Sequence, residues 1–109
     1  MKLLLTIVQD TDAGKLQQAL IESGFDSTKL SSTGGFLRQG NTTLLIGVED
    51  HQVDTAKKIV ESTCRERTKI HTPGPTITDL EGMSATRPIE VTVGGAIIFV
   101  IEVEEFLRL

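Results

Sequence analysis

Leu3-Leu4-Leu5-Thr6-Ile7-Val8 is the stretch that decides the fold, because its residues favour a buried strand at odd and even positions alike. Side chains of a strand alternate between the two faces of a sheet, so this run predicts a central strand covered on both faces. Gln9 and Asp10 end the run far short of the roughly 20 residues that a membrane-spanning helix needs. No small-residue cleavage site of a signal peptide follows it. The stretch therefore predicts a strand and no membrane insertion.

Two amphipathic helices are predicted from the spacing of apolar residues. The first covers residues 12–23, and Gly24 provides a stop signal directly after it. The second follows Asp50, a candidate N-cap, and its apolar face includes Ile59 and Cys64. Both helices should pack one face against a sheet.

Four further strands are predicted. Phe25–Ser32 and Thr42–Val48 flank a glycine-rich connection and should pair as a hairpin. Ile89–Val93 and Ala96–Val103 flank Gly94-Gly95, a two-residue turn of the kind that closes hairpins. The sequence thus predicts two hairpins in addition to the first strand.

Two segments carry no strand signal. Residues 68–88 lack periodicity and contain all three prolines of the chain, which is typical of a functional or mobile loop. Glu104–Leu109 are predicted to finish the chain as a short helical turn.

The predicted order is β-α-β-β-α-β-β, an α+β, ferredoxin-like β-α-β-β-α-β fold with an extra C-terminal strand, in which residues 1–109 form one domain. Both helices should cover one face of an antiparallel sheet. Leu3–Val8, Leu44–Val48 and Ala96–Val103 are nevertheless apolar at odd and even positions, which implies that the opposite face is also buried. No residues remain for a second layer. The sequence therefore predicts a homo-oligomer, with ligands where subunits meet.

Composition limits the function further. The net charge is −4 and the chain has four Phe but no Trp or Tyr, which argues against binding to a nucleic acid polymer. Cys64 is the single cysteine, so no internal disulfide forms and a reducing cytoplasm is expected. On the apolar face of a helix, Cys64 is expected to be a buried, inert thiol. His51 and His71 lack partners at metal-ligand spacing, and no nucleophile and base are paired, so no enzyme, metal site or cofactor is predicted.

The glycine-rich connection Thr33–Thr43 is the candidate binding element. Gly34, Gly35 and Gly40 allow backbone N–H groups to approach a ligand without an intervening Cβ atom. Phe36 offers an aromatic face on which a base can stack. The alternative interpretation is that the glycines only form a turn between two strands.

Short motifs spread over the whole chain carry a family resemblance. They are Ile7-Val8-Gln9-Asp10-Thr11-Asp12, Thr28-Lys29-Leu30, Thr33-Gly34-Gly35-Phe36-Leu37-Arg38, Gly40-Asn41-Thr42-Thr43, Gly47-Val48 and Val93-Gly94-Gly95-Ala96. With the matching total length, they make the chain similar to the PII-like cyclic di-AMP receptors of the PstA or DarA type. The resemblance implies a homotrimer with the ferredoxin-like PII fold, which binds this bacterial second messenger in clefts between subunits and has no catalytic role.

The resemblance also implies a set of ligand contacts. It places an adenine against Phe36, backbone contacts at Gly35, Leu37 and Gly47, and polar contacts at Thr28 and Asn41. The residue types fit these roles, since Asn41 can donate to and accept from an adenine edge and Thr28 can donate to a phosphate oxygen. Arg38 is the nearest cation for a phosphate, although a loop arginine is by default solvated. Loops 33–42 and 68–88 are expected to change on binding and to signal to a protein partner that the sequence does not name.

The chain also departs from the family pattern. Gly24-Phe25-Asp26 stands where the family typically has Asn-Phe-Arg, Thr76–Met83 replaces a Gly-Gly-Asn-Ala-Asp segment, and Arg108-Leu109 ends the tail in place of a polar residue and Phe. A carboxylate repels a phosphodiester at ~4 Å by about 1 kcal/mol in water. Two alternatives therefore stay open: a PII-like binder of another nucleotide or metabolite, and a trimeric interaction module without a small ligand.

Overall fold

The computed structural model describes residues 1–32, 40–71 and 89–109. In these ranges the elements are β1 (Lys2–Gln9), α1 (Asp10–Glu22), β2 (Ser27–Ser32), β3 (Asn41–Val48), a 3-10 turn (Asp50–Gln52), α2 (Val53–Cys64), β4 (Arg67–His71), β5 (Ile89–Val93) and β6 (Ala96–Glu102). Both predicted helices are present. Gly24, with φ of +83°, follows Ser23, the C-cap of α1, where the stop signal predicts the end of the helix.

Four strands form an antiparallel sheet in the order β2-β3-β1-β6. β1 lies in the middle of this sheet, where its continuous apolar run predicts it. The predicted hairpin of β2 and β3 is confirmed, with Thr28 opposite Leu45 and Ser32 opposite Asn41. Since α1 links β1 to β2, α2 follows β3, and both helices pack on one face of this sheet, the molecule has the ferredoxin-like α+β fold that the sequence predicts.

The core lies between one face of the sheet and the two helices. It is built from Leu4 and Val8 of β1, Leu44, Ile46 and Val48 of β3, Ala13, Leu16 and Leu20 of α1, Phe25, and Ala56, Val60 and Cys64 of α2. These side chains alternate along the strands and recur every three or four residues along the helices, as one buried face requires. Each fully buried Leu or Val contributes roughly 1.5–3 kcal/mol to folding.

The opposite face of the sheet is apolar, and no helix among the described residues lies over it. Leu5 of β1 lies opposite Leu45 of β3 and Phe99 of β6, so these three side chains share that face. Phe99 is 43% exposed and Ile101 is 42% exposed in the single chain. The predicted second apolar face is therefore present.

The predicted pairing of the last two strands is wrong. β5 pairs with β4 and forms a separate two-stranded ribbon, with Lys69 opposite Val91, while β6 pairs with β1. Gly94 and Gly95 have φ of +86° and +93°, and the Gly95 N–H donates to the Cys64 carbonyl at 2.5 Å. The two glycines thus turn the chain from the ribbon into the main sheet. β4 also corrects the prediction that residues 68–71 belong to a structureless loop.

Two local predictions are also corrected. Asp50 does not cap the second helix, because Glu49 and Gln52 form the capping box and Asp50 pairs with the N-terminal amine at 3.0 Å. The amine lowers the pKa of the Asp50 carboxyl. Glu104–Leu109 form no helical turn, and the Val103 N–H instead donates to the Met1 carbonyl at 3.2 Å.

Candidate functional site

A pocket of about 450 Å³ opens on the helix-free face of the sheet, where β1 begins and β3 ends. Its lining residues are Met1, Leu3, Asp26, Ser27, Thr28, Leu45, Gly47, Val103, Phe106 and Arg108. The register places Leu3 opposite Gly47 and Leu45 opposite Thr28, so three neighbouring strand segments supply the floor. The pocket brings together two of the predicted ligand residues, Thr28 and Gly47.

Gly47 makes part of this floor bare backbone. It is exposed at the end of β3, and a Cβ atom there would lie 3.4 Å from the Met1 methyl carbon. Thr28 is an exposed side chain on the adjacent edge strand β2. A peptide backbone beside a hydroxyl donor suits a polar ligand group that approaches the sheet closely.

The C-terminal tail supplies the wall that sequence reasoning missed. After the Val103 N–H has bonded to Met1, the tail places Phe106 and Arg108 against the pocket. Phe106 is 59% exposed although it is a large aromatic residue. The sequence did contain a signal for this wall, because Phe106 and Arg108 are an aromatic residue and a cation two positions apart in a tail without amphipathic period. Such a pair fits the wall of a ligand pocket better than a helical turn.

The pocket carries one side chain of each charge. Asp26 lies beside Ser27 and Thr28, and Arg108 comes from the tail. Because both are exposed in the single chain, each charge is accessible to a ligand in the pocket. The anion that departs from the family pattern is thus accompanied by a cation at the same site.

Asn41 lies at the other end of β3. It is 2% exposed and pairs with Gln9 of β1 and Ser32 of β2. Six residues separate it from Gly47, which corresponds to about 20 Å along a strand. The structure therefore does not bring Asn41 into the pocket. Gly35, Phe36, Leu37 and Arg38 lie outside the described residues.

The start of α1 fixes the end of the sheet that holds Asn41. The Asp10 N–H donates to the Gly40 carbonyl at 2.9 Å, and the Thr42 hydroxyl donates to Asp10 Oδ1 at 2.5 Å. Arg67 Nη2 donates to Asp12 Oδ1 at 2.8 Å. This hydrogen bond raises the pKa of the Arg67 guanidinium.

Cys64 is fully buried on α2, as its place on the apolar face predicts. Burial raises the pKa of its thiol to about 12, and the nearby Asp12 carboxylate acts in the same direction. A thiol that holds its proton so strongly is a poor nucleophile and metal ligand.

Within residues 1–32, 40–71 and 89–109, no three His, Cys, Asp or Glu side chains are grouped as metal ligands. None of the helices in those ranges is both long and apolar enough to cross a membrane.

Comparisons with known proteins agree with the motifs. The chain matches a solved structure of a functionally unknown protein from Pediococcus pentosaceus, with 39% sequence identity and a TM-score of 0.81. That match covers 99% of this chain and 96% of the other. The family model described as cyclic-di-AMP receptor matches residues 1–109, which confirms the family that the motifs indicate. Because the family model spans its whole length, this chain belongs to the cyclic-di-AMP receptor family.

Proposed function

We propose that this protein is a PII-like signal-transduction protein that binds cyclic di-AMP in clefts between the subunits of a cytoplasmic homotrimer. The family match over residues 1–109 is the observation that supports cyclic di-AMP as the ligand. The receptor role favours binding over catalysis. On binding, loops 33–42 and 68–88 change and present a different surface to a protein partner.

The positions of the predicted contact residues support a shared cleft. Thr28 and Gly47 line the pocket at one end of β3, and Asn41 begins that strand about 20 Å away. The binding site around a ligand in the pocket of one subunit is therefore more easily completed by the Asn41 end of β3 in a neighbouring subunit. The helix-free apolar face, which holds Phe99 and Leu45, gives the neighbour a surface to cover.

Each predicted contact has a role in this cleft. Phe36 stacks on an adenine, and the backbones of Gly35, Leu37 and Gly47 approach the ligand closely. Thr28 donates to a phosphate oxygen. Asn41, buried at the start of β3, positions that strand and offers its amide to an adenine edge. Arg38 of the glycine-rich connection offers a cation to a phosphate.

Arg108 takes the place of the missing cation beside the phosphates. Asp26 would repel a phosphodiester at ~4 Å by about 1 kcal/mol in water, and a guanidinium at the same distance offsets this. Both residues line the same pocket. The pocket of this chain therefore binds the anion through a cation from the tail, in place of the cation that the family pattern has at position 26.

The test is calorimetry with purified protein and cyclic di-AMP, cyclic di-GMP, ATP and ADP. At 100 times its dissociation constant, a ligand stabilises the folded state by about 2.7 kcal/mol, so thermal shift gives a second readout. Cyclic di-AMP should bind most tightly. Phe36→Ala should cost roughly 1–3 kcal/mol of binding free energy without lowering Tm.

A second candidate is a PII-like binder of another small nucleotide or metabolite, which the carboxylate of Asp26 in the pocket favours. Tighter binding of any other compound in the screen would select this candidate. If no compound binds, the third candidate, a trimeric interaction module without a ligand, is selected.

A further inference from the structure

The four consecutive residues 9–12 include three, Gln9, Asp10 and Asp12, that bond to the bases of two separate segments. They end β1 and begin α1, and we name them the α1 junction. One segment is the connection between β2 and β3, which re-enters the sheet at Gly40. The other is the ribbon of β4 and β5.

Asp10 attaches the junction to the β2–β3 connection. Its N–H donates to the Gly40 carbonyl at 2.9 Å, and its Oδ1 accepts from the Thr42 hydroxyl at 2.5 Å. Thr42 is 4% exposed, so water does not readily replace this bond. A Cβ atom at Gly40 would collide with the Asp10 carboxylate. The position of Asp10 is therefore tied to the end of this connection.

Asp12 and Gln9 attach the junction to the ribbon. Asp12 is 1% exposed, and its two carboxylate oxygens accept from Arg67 at 2.8 and 3.4 Å. Gln9 Oε1, also buried, accepts from the Gly94 N–H at 2.6 Å. Arg67 is the first residue of β4 and Gly94 directly follows β5. The junction therefore bonds to both strands of the ribbon at the end that adjoins the rest of the molecule.

These bonds make the two segments mutually dependent. Asp10 and Asp12 belong to the same helical turn, so a displacement of the backbone of that turn moves both carboxylates. A buried carboxylate that loses its cation is strongly disfavoured, so the Asp12–Arg67 pair tolerates little displacement. We infer that the α1 junction couples the start of β3, at Gly40 and Thr42, to the ribbon, so that restraining either of them stabilises the other. Coupling of this kind is reciprocal.

The test is hydrogen exchange of the ribbon amides, residues 67–71 and 89–93, in the full chain without ligand. Thr42→Val removes the hydroxyl bond to Asp10 and should speed ribbon exchange about threefold or more relative to the main sheet. Thr6→Val is the matched control, because Thr6 is also a buried strand threonine but its hydroxyl has no hydrogen-bond partner among the described residues. It should leave the ribbon-to-sheet ratio unchanged. An unchanged ratio in Thr42→Val would overturn the inference.

A double-mutant cycle separates coupling from general destabilisation. Arg67→Gln removes the ion pair with Asp12 and so detaches the ribbon from the junction. In that background, adding Thr42→Val should have little further effect on ribbon exchange. Arg67→Lys keeps a cation for Asp12 and should restore most of the dependence. If the effects of Thr42→Val and Arg67→Gln simply add, the two segments are independent. Should Arg67→Gln not fold, the comparison of Thr42→Val with Thr6→Val still decides the coupling.

The ligand arm of the experiment rests on the proposed function. Cyclic di-AMP should slow ribbon exchange in the wild type but not in Arg67→Gln, although calorimetry should still detect binding to that variant. Binding without slower ribbon exchange in the wild type would contradict the inference. Absence of binding would refute the proposed function, while the ligand-free cycle still decides the coupling.

Discussion

At the scale of single residues, the electrostatics of the pocket depend on one carboxylate and one guanidinium. Asp26 and Arg108 both line it and are both exposed, so solvent screens each of them. Neither contributes much to folding, since exposed charges are worth little to stability. Their effect is therefore expected on the ligand alone.

Charge-neutral variants of these two residues should change affinity in opposite directions. Arg108→Gln should weaken cyclic di-AMP binding by about 1 kcal/mol, and Asp26→Asn should strengthen it by a similar amount. Both effects should grow at low salt. Glu105→Gln alters the net charge as Asp26→Asn does but lies outside the pocket lining, so it serves as the control in calorimetry. An Arg108→Gln variant with wild-type affinity at low salt would refute the role of Arg108.

The thiol of Cys64 should not react with alkylating reagents in the native protein. With a pKa of about 12, only about one thiol in ten thousand is ionised at pH 8, and the side chain is fully buried. Alkylation by iodoacetamide should therefore follow global unfolding.

The unfolded thiol ionises near pH 9.0. Stability should thus fall as pH rises above that value, and urea titrations should show a smaller fall in Cys64→Ala. Rapid native labelling would contradict the burial of this thiol.

At the scale of elements, two glycines in the described chain make opposite demands. Gly94, between β5 and β6, has φ of +86°, and a Cβ atom there would lie 2.5 Å from both the Arg65 carbonyl oxygen and Arg67 Nη1. Gly14, inside α1, has no atom within 4 Å of its Cβ position. Only the first glycine is required by the backbone and its neighbours.

Alanine at these two positions should have opposite effects on stability. Gly94→Ala should lower the free energy of unfolding by roughly 1–3 kcal/mol, because it strains the backbone and crowds the base of the ribbon. Gly14→Ala should raise it by about 0.5–1 kcal/mol, because alanine favours the helix. Urea denaturation measures both. Equal effects of the two substitutions would mean that Gly94 has no special conformational role.

The elements that could be predicted are those whose signals are local. The hydrophobic period predicted both helices, Gly24 predicted the end of α1, and the continuous apolar run of β1 predicted its central place in the sheet. The ribbon could not be predicted, because its strands pair across the 17 residues between His71 and Ile89. β4 is also rich in charged residues, and Gly94-Gly95 imitates a hairpin turn. The pairing of β5 therefore depends on contacts that no local pattern records.

The candidate site divides in the same way. Thr28 and Gly47 were predicted and lie in one pocket, since they belong to neighbouring strands whose pairing follows from a hairpin. Phe106 and Arg108 were missed as site residues, because the irregular tail has no period that shows where it packs. Asn41 lies at the far end of β3, a separation that strand length alone implies.

At the scale of the whole molecule, the sheet has two apolar faces and the described helices cover only one. Leu5, Leu45 and Phe99 lie across the uncovered face in register. Exposed apolar surface of this kind marks an interaction site. If the pocket at Gly47 and the Asn41 end belong to a shared cleft, this face must be the contact between copies.

A charge on this face should therefore separate the subunits without unfolding them. Phe99→Glu is chosen because Phe99 is 43% exposed in the single chain, so the fold tolerates a change there. Light scattering of the wild type should give about three times the 11.8 kDa chain mass, and the variant should approach a single chain. Val100→Glu is the matched control, since Val100 is the next residue of β6, is 47% exposed and points to the helix side. It should keep the wild-type mass, and cyclic di-AMP binding should be lost only in Phe99→Glu. A wild type that is monomeric and stable would refute the shared cleft, as would a monomeric Phe99→Glu with wild-type affinity.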